Sequence, residues 1–134
     1  MFLRKSASLI AAVSLAGAAT VVGTAGTAQA AACTGVQMTP ADNVTTTVNA
    51  KPRSTVFCLA AGVYQVKSTI EPKAGMKFFG APGAVLDGAT ATSTTDGFNG
   101  SANGATGVTL DGFEVRNFRV GVRAGRDWLI TNNN

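Results

Sequence analysis

The 134-residue chain contains no histidine. That absence excludes Ser–His and Cys–His nucleophile pairs, imidazole acid–base catalysis and His-ligated metal sites. Charged residues are also scarce, at 13% against 46% hydrophobic residues. This balance is unlike that of a disordered tail or a basic nucleic-acid-binding arm. Nucleic acid is therefore not an expected partner.

The first thirty residues have the layout of a secretory signal peptide. A basic pair at positions 4–5 precedes an apolar run over residues 9–22, and Ala28-Gln29-Ala30 gives the small-x-small pattern of a cleavage site before Ala31. The alternative is a membrane anchor, but the apolar run is interrupted and shorter than the ~20 residues of a spanning helix. We expect cleavage between Ala30 and Ala31, secretion, and no stable membrane anchor.

Only two cysteines are present, Cys33 and Cys58, and their spacing is not that of a C-x-x-C redox motif. Because an exported chain folds in an oxidising compartment, we expect them to form a disulfide. Closing a loop of this length would stabilise the fold by roughly 3 kcal/mol. Two unpaired thiols are the alternative.

From Thr55 onward the chain consists of short runs of alternating apolar and polar residues, separated by Gly, Pro, Asn or Asp. Such runs are typical of strands joined by turns. No segment has the length of a crossover helix, which excludes a doubly wound α/β sheet. The preceding residues 31–53 are polar and Thr-rich, and we expect a cap segment with one weak helix that begins near Pro40 and Asp42 and ends near Ala50.

A faint internal repeat runs through the strand-rich segment. The pattern apolar, variable, apolar, variable, Gly or Asn occurs at residues 76–80, 108–112 and 128–132, at spacings of 32 and 20. We expect the polar stretch from Ala89 to Ala105 to absorb the longer spacing as an inserted loop. A second possible register aligns residues 86–88 with 110–112. Either period is typical of a β-solenoid, and the alternative fold is an antiparallel sandwich.

Alternation within the repeats predicts which side chains face the core. The expected inward residues are Phe78, Val108, Leu110, Phe113, Val115 and Trp128. The expected outward residues are Thr109, Asp111, Glu114 and Arg116. The pattern leaves open the faces of Phe57 and Phe79, and outward aromatic rings would provide a platform on which sugars stack.

The run from Ser54 to Tyr64, STVFCLAAGVY, resembles the opening coil of secreted right-handed parallel β-helix proteins of the pectate-lyase-like superfamily. Residues 70–88 are similar to the second coil of those proteins, and residues 108–117 and 128–134 resemble later coils. The resemblance implies an all-β, right-handed parallel β-helix over residues 54–134, after the signal peptide (1–30) and the cap segment (31–53). Because the chain stops at a coil corner, we expect an N-terminal fragment, incomplete at the C-terminus.

The same resemblance implies that the ligand is an extracellular or cell-wall polysaccharide. The implied activity is that of a lyase or a glycoside hydrolase, with non-catalytic carbohydrate binding as the alternative. Relatives usually carry the catalytic groove on central coils, so most of the active site is expected beyond residue 134. No cofactor is evident, although a lyase could use Ca²⁺ to neutralise a sugar carboxylate.

The charged residues between positions 111 and 127 supply the candidate site. Asp111 and Glu114, both predicted to face outward, would lie within about 10 Å at ~3.3 Å per residue and could act as paired catalytic carboxylates. Arg116 and Arg119 could bind a sugar carboxylate through paired hydrogen bonds. The alternative for each is a solvated charge on an outer face. No metal site is predicted.

Three further assignments concern the remaining polar residues. Asp87, beside Gly88, is interpreted as a turn residue. Arg123 and Arg126 are interpreted as soluble edge residues. The Ala89 to Ala105 stretch is expected to be a mobile surface loop, or else to line a binding cleft with Asp96, Phe98 and Asn99.

Overall fold

A computed structural model describes residues 33–134, so the predicted signal peptide and its cleavage site at Ala30 and Ala31 lie outside the described residues. This part of the chain forms ten short strands and one helix. In chain order they are β1 (Val36–Met38), α1 (Val44–Asn49), β2 (Val56–Leu59), β3 (Gly62–Gln65), β4 (Lys77–Gly80), β5 (Ala84–Asp87), β6 (Asp96–Asn99), β7 (Thr109–Asp111), β8 (Glu114–Arg116), β9 (Val120–Arg123) and β10 (Leu129–Thr131).

The strands form three parallel sheets that share one core. The first sheet has the order β1-β2-β4-β7-β10, the second β3-β5-β8, and the third β6-β9. All the strand pairings within the described residues are parallel. Each successive coil adds one strand to the first sheet, and the coils that contain β4–β6 and β7–β9 add one strand to all three, so the described residues form an all-β parallel solenoid of about four turns. The sequence prediction of a β-solenoid is confirmed, and the antiparallel sandwich is excluded.

Strand register distinguishes the two alignments of the repeat. Lys77 pairs with Thr109, and Thr109 pairs with Leu129, which reproduces the spacings of 32 and 20. The alternative alignment is wrong, because Leu86 pairs with Val115 and lies in the second sheet, whereas Leu110 pairs with Phe78 in the first.

The longer coil does not contain a simple inserted loop. Within the stretch from Ala89 to Ala105, the chain forms strand β6, which pairs with β9. Phe98 of β6 is fully buried in the core, so for this strand both the expected surface loop and the alternative of a cleft lined by Phe98 are wrong. The additional residues lie in the turns before and after this strand.

A column of aromatic rings occupies the core. Phe57 stacks on Phe78 at a centroid distance of 4.8 Å, Phe78 meets Phe98 edge-on at 5.3 Å, and Phe98 approaches Phe113 at 6.1 Å. The other predicted inward residues are either buried (Val108, Leu110) or packed against the core while partly exposed (Val115, Trp128). Inward packing from consecutive coils therefore gives the solenoid its hydrophobic interior.

The N-terminal segment is attached to this core in two ways. Strand β1 pairs with β2, and the predicted disulfide joins Cys33 to Cys58, with a Cα–Cα distance of 5.9 Å. The predicted helix is present as α1. Its N-cap is Asn43, whose side chain accepts a hydrogen bond from the N–H of Thr46. Residues 33–134 contain no helix long and apolar enough to cross a membrane.

Glycine and asparagine form the corners that follow two strands of the first sheet. Gly112 follows β7 with φ of +88°, and Asn132 follows β10 with φ of +54°. Both angles lie in the left-handed region, which glycine adopts freely and asparagine tolerates better than most residues. Two of the three corner residues of the repeat therefore have the conformation that the solenoid prediction requires, whereas the third, Gly80, ends β4 without a positive φ.

Candidate functional site

A groove of about 480 Å³ lies on the outer face of the first sheet. Its lining includes the side chains of Lys77, Phe79, Asp111 and Asn132, and we refer to it as the outer groove. Lys77 and Phe79 belong to β4, Asp111 ends β7, and Asn132 is the corner residue after β10. Three consecutive coils therefore contribute to one surface.

Alternation along the strands aims these side chains outward. Phe78, between Lys77 and Phe79, is fully buried, as is Leu110 beside Asp111. Because successive side chains of a strand point to opposite faces, the flanking residues must face solvent. Lys77 is exposed, and Phe79 is half-buried. The same packing that builds the core thus exposes a ring, a cation and a carboxylate together.

Asp111 has a fixed partner in the outer groove. Its Oδ1 accepts a hydrogen bond of 2.8 Å from Nδ2 of Asn132. No hydrogen bond to Oδ2 occurs within the described part of the chain. The bond fixes the carboxylate orientation and leaves one oxygen to accept hydrogen bonds from a ligand.

The second candidate carboxylate does not lie in this groove. Glu114 belongs to β8 in the second sheet, where its Oε1 accepts a hydrogen bond of 3.2 Å from Arg116. Asp111 and Glu114 therefore face outward, as predicted, but from different sheets and with different partners.

Arg116 joins a cluster around Asp87 at the end of β5. Its Nε lies 3.1 Å from Asp87 Oδ2, while Asn117 and the backbone N–H of Ala89 each donate to Oδ1 at 2.8 Å. The hydrogen bond from Asn117, followed by that from Ala89, lowers the pKa of Asp87, and Arg116 adds to the lowering against the opposing effect of burial. The bond to Ala89 is the turn interaction expected for Asp87.

Arg119 is part of a different ion pair. Its Nε and Nη2 lie 3.2 and 3.0 Å from Oδ1 of Asp96, and Nε of Arg123 lies 3.1 Å from Oδ2. Burial raises the pKa of Asp96, but the hydrogen bonds from Arg123 and Arg119 outweigh it, and the net shift is downward. Arg116 and Arg119 thus hold separate carboxylates of the protein.

The Ca²⁺ ion that the family resemblance allows does not fit the described residues. Asp111 is the single carboxylate among the groove residues, and Lys77 lines the same groove. Nowhere in residues 33–134 do three or more Cys, Asp or Glu side chains form a group able to hold a metal. Because Ca²⁺ takes six to eight oxygen ligands, often from several carboxylates, these residues do not build such a site.

Of the groove residues, Asp111 is a predicted site residue, Phe79 is one whose face the sequence pattern leaves open, and Lys77 is not among the predicted site residues. The signal was present in the repeat, since aligning residues 76–80 with 108–112 places Phe79 beside Asp111 and Lys77 beside Thr109. Both residues of β4 occupy the variable, outward positions of the pattern.

Comparisons with known proteins do not assign a family. No protein-family model matches the chain, and neither a curated protein nor a solved structure matches it significantly. The class defined by the structure is that of parallel β-solenoid proteins with a groove on an outer sheet face.

Proposed function

We propose that this chain is the solenoid of a secreted, polysaccharide-active protein of the pectate-lyase-like type, which binds a sugar chain in the outer groove. The observation that carries the proposal is the placement of Phe79, Lys77, Asp111 and Asn132 on one face. An aromatic ring supports the apolar face of a sugar, while the charged and amide groups bind its polar substituents.

The dimensions of the groove suit a chain more than a single sugar. Its lining extends from Thr34, next to β1, through Val56 of β2 to Asn132 beyond β10. With neighbouring strands ~4.8 Å apart, five strands span about 19 Å. A polysaccharide lying across the strands would contact each coil in turn.

The groove favours elimination over hydrolysis as the reaction of this proposed enzyme. Hydrolysis uses two carboxylates on either side of the glycosidic bond, and the groove residues include one, Asp111. Elimination from a uronate uses a cation beside the sugar carboxylate and a base that removes the C5 proton; the C4–C5 double bond forms as the glycosidic C4–O bond breaks, and the leaving oxygen takes a proton from water. Lys77 is the cation in this scheme, and Asp111 is the base.

A non-catalytic carbohydrate-binding protein is the second candidate. The hydrogen bond between Asn132 and Asp111 favours it, because the bond fixes a carboxylate that can accept hydrogen bonds from sugar hydroxyls. Binding needs only the ring, the cation and this oriented pair.

An activity assay separates these candidates. The protein is incubated with polygalacturonate, alginate and xylan, with and without Ca²⁺. Unsaturated product that absorbs in the ultraviolet indicates elimination, and new reducing ends without such absorbance indicate hydrolysis. Retention on the polysaccharide without product indicates the binding protein. Neither binding nor product on any of the three would contradict the proposed function.

A further inference from the structure

A second pocket, shallow and open to solvent, lies at the corner between β5 and β6, on the part of the solenoid where the second sheet turns into the third. Its volume is about 550 Å³, and it shares no lining residue with the outer groove. Its lining includes Gly88, Ser93, Phe118 and Arg119, and we refer to it as the corner pocket.

The floor of the corner pocket depends on a glycine. A Cβ atom on Gly88 would lie 2.5 Å from Cδ1 of the Phe118 ring and 2.7 Å from the carbonyl oxygen of Asn117. Only glycine therefore lets the ring pack directly on the backbone. Phe118 is half-buried in this position and contributes an apolar surface to the pocket.

The wall of the pocket includes a guanidinium group that shares its carboxylate partner with a second arginine. Asp96 supplies one carboxylate to two guanidinium groups, those of Arg119 and Arg123. Asp96 is almost fully buried, whereas the Arg119 side chain is 52% exposed. Arg119 uses Nε and Nη2 for Asp96, and its Nη1 makes no hydrogen bond within residues 33–134.

A hydroxyl group completes the polar side. Ser93 is exposed at the pocket, and its Oγ makes no hydrogen bond within the described part of the chain. The guanidinium of Arg119 is held in place by Asp96, so little side-chain entropy would be lost when it binds a ligand. An oriented cation, a free hydroxyl and a ring face thus border one shallow pocket.

We infer that the corner pocket binds an oxyanion, a carboxylate or sulfate group carried on a small ring-shaped ligand. Nη1 of Arg119 donates to the anion, the Ser93 hydroxyl donates a further hydrogen bond, and the Phe118 ring contacts the apolar face of the ligand. The site is separate from the outer groove, and the inference holds whether or not that groove binds polysaccharide.

The test is an NMR titration of the ¹⁵N-labelled protein at constant ionic strength with sodium glucuronate, sodium sulfate and neutral glucose. We expect saturable amide shifts at Ala89, Ser93 and Arg119 with the anions, and binding of glucose at least tenfold weaker than that of glucuronate. Arg119→Gln should weaken anion binding by about tenfold or more, because it removes a charged hydrogen bond. Binding of sulfate without glucuronate would support the site and assign it to sulfate groups.

Two variants serve as controls. Arg126→Gln removes the same charge from an exposed position outside the pocket, and its affinity should equal that of the wild type. Ser93→Ala leaves the ion pair of Asp96 intact and should weaken binding a few-fold. It therefore tests the pocket even if Arg119→Gln does not fold. Three results would each overturn the inference: no saturable shift, equal affinity for glucose and glucuronate, or Ser93→Ala and Arg119→Gln variants that both bind like the wild type.

Discussion

Phe79 on β4 pairs with Asp111 on β7, so an aromatic ring and a carboxylate stand side by side on the outer face of the first sheet. The two residues are 32 positions apart in the sequence, and only the stacking of coils brings them together. Phe79 and Asp111 line the proposed binding groove, whereas their neighbours Phe78 and Leu110 pack in the core.

Removing the ring of Phe79 should weaken polysaccharide binding without unfolding the protein. Because aromatic contacts contribute about 0.5–1.5 kcal/mol, we expect Phe79→Ala to lower the affinity roughly 2- to 12-fold in a calorimetric titration. The control is Val63→Ala, which truncates a hydrophobic side chain, 40% exposed, in the second sheet. Equal affinities of the two variants would contradict a role for the ring.

Lys77→Gln should discriminate between acidic and neutral polysaccharides. Lys77 is exposed in the outer groove and would pair with a sugar carboxylate, so its loss should weaken binding of polygalacturonate by about 2- to 5-fold and leave xylan binding nearly unchanged. The effect should shrink at high salt. Lys67→Gln, at an exposed position outside the groove, is the matched control. A similar loss for both polymers would mean that Lys77 does not bind a carboxylate.

The aromatic column predicts a sharp contrast between adjacent phenylalanines. Phe78 is fully buried between Phe57 and Phe98, so Phe78→Ala should lower the free energy of unfolding by about 3–5 kcal/mol. Phe79→Ala, one position along, should cost far less because the ring is half-exposed. Urea denaturation measures both. Similar losses would contradict the inward and outward alternation of β4.

The lowered pKa of Asp87 predicts a pH-dependent contribution to stability. A depressed folded-state pKa means that the charged carboxylate stabilises the fold above its unfolded pKa of about 3.9, and that this stabilisation is lost as the pH falls through the folded-state value. Asp87→Asn should therefore destabilise the protein at pH 7, by roughly 1–3 kcal/mol for the lost charged hydrogen bonds.

The same difference should diminish in acid, because below about pH 3.9 the unfolded chain takes up a proton at Asp87 before the folded protein does. Denaturation of wild type and Asp87→Asn at pH 7 and at pH 3 measures the change. Asp127→Asn, at an exposed position, serves as the control for loss of one carboxylate. A difference that persists undiminished at pH 3, or grows, would contradict the assignment of Asp87 as a stabilising ionised group.

Much of the fold can be predicted from the sequence, because apolar and polar residues alternate along the strands and the apolar ones face the core. Alternation places Val108 and Leu110 in the interior, as observed, whereas the pairing of β4 with β7 is only one of the two registers that the sequence allows. Strand β6 was missed because its sequence, Asp96-Gly97-Phe98-Asn99, contains one large apolar residue. Strand β6 is stabilised by Phe98, which packs in the core, and by the arginines that bind Asp96. The local sequence pattern reveals none of these contacts.

The polar clusters were harder to predict for a related reason. Arg116 reaches Asp87 across 29 residues, and Arg119 reaches Asp96 across 23. Each partner depends on the length of the turns between coils, which varies along this chain. The outward face of Asp111 was therefore predictable, whereas the partners of Arg116 and Arg119 were not.

The central claim is that the outer groove is where a polysaccharide binds. Amide-shift mapping of the ¹⁵N-labelled protein with a galacturonate oligosaccharide tests it most directly. The account predicts saturable shifts that cluster at Lys77, Phe79, Asp111 and Asn132, with any further shifts confined to the corner pocket at Ala89, Ser93 and Arg119. Saturable binding whose shifts avoid these residues, or no saturable binding of galacturonate and xylan oligosaccharides alike, would contradict it.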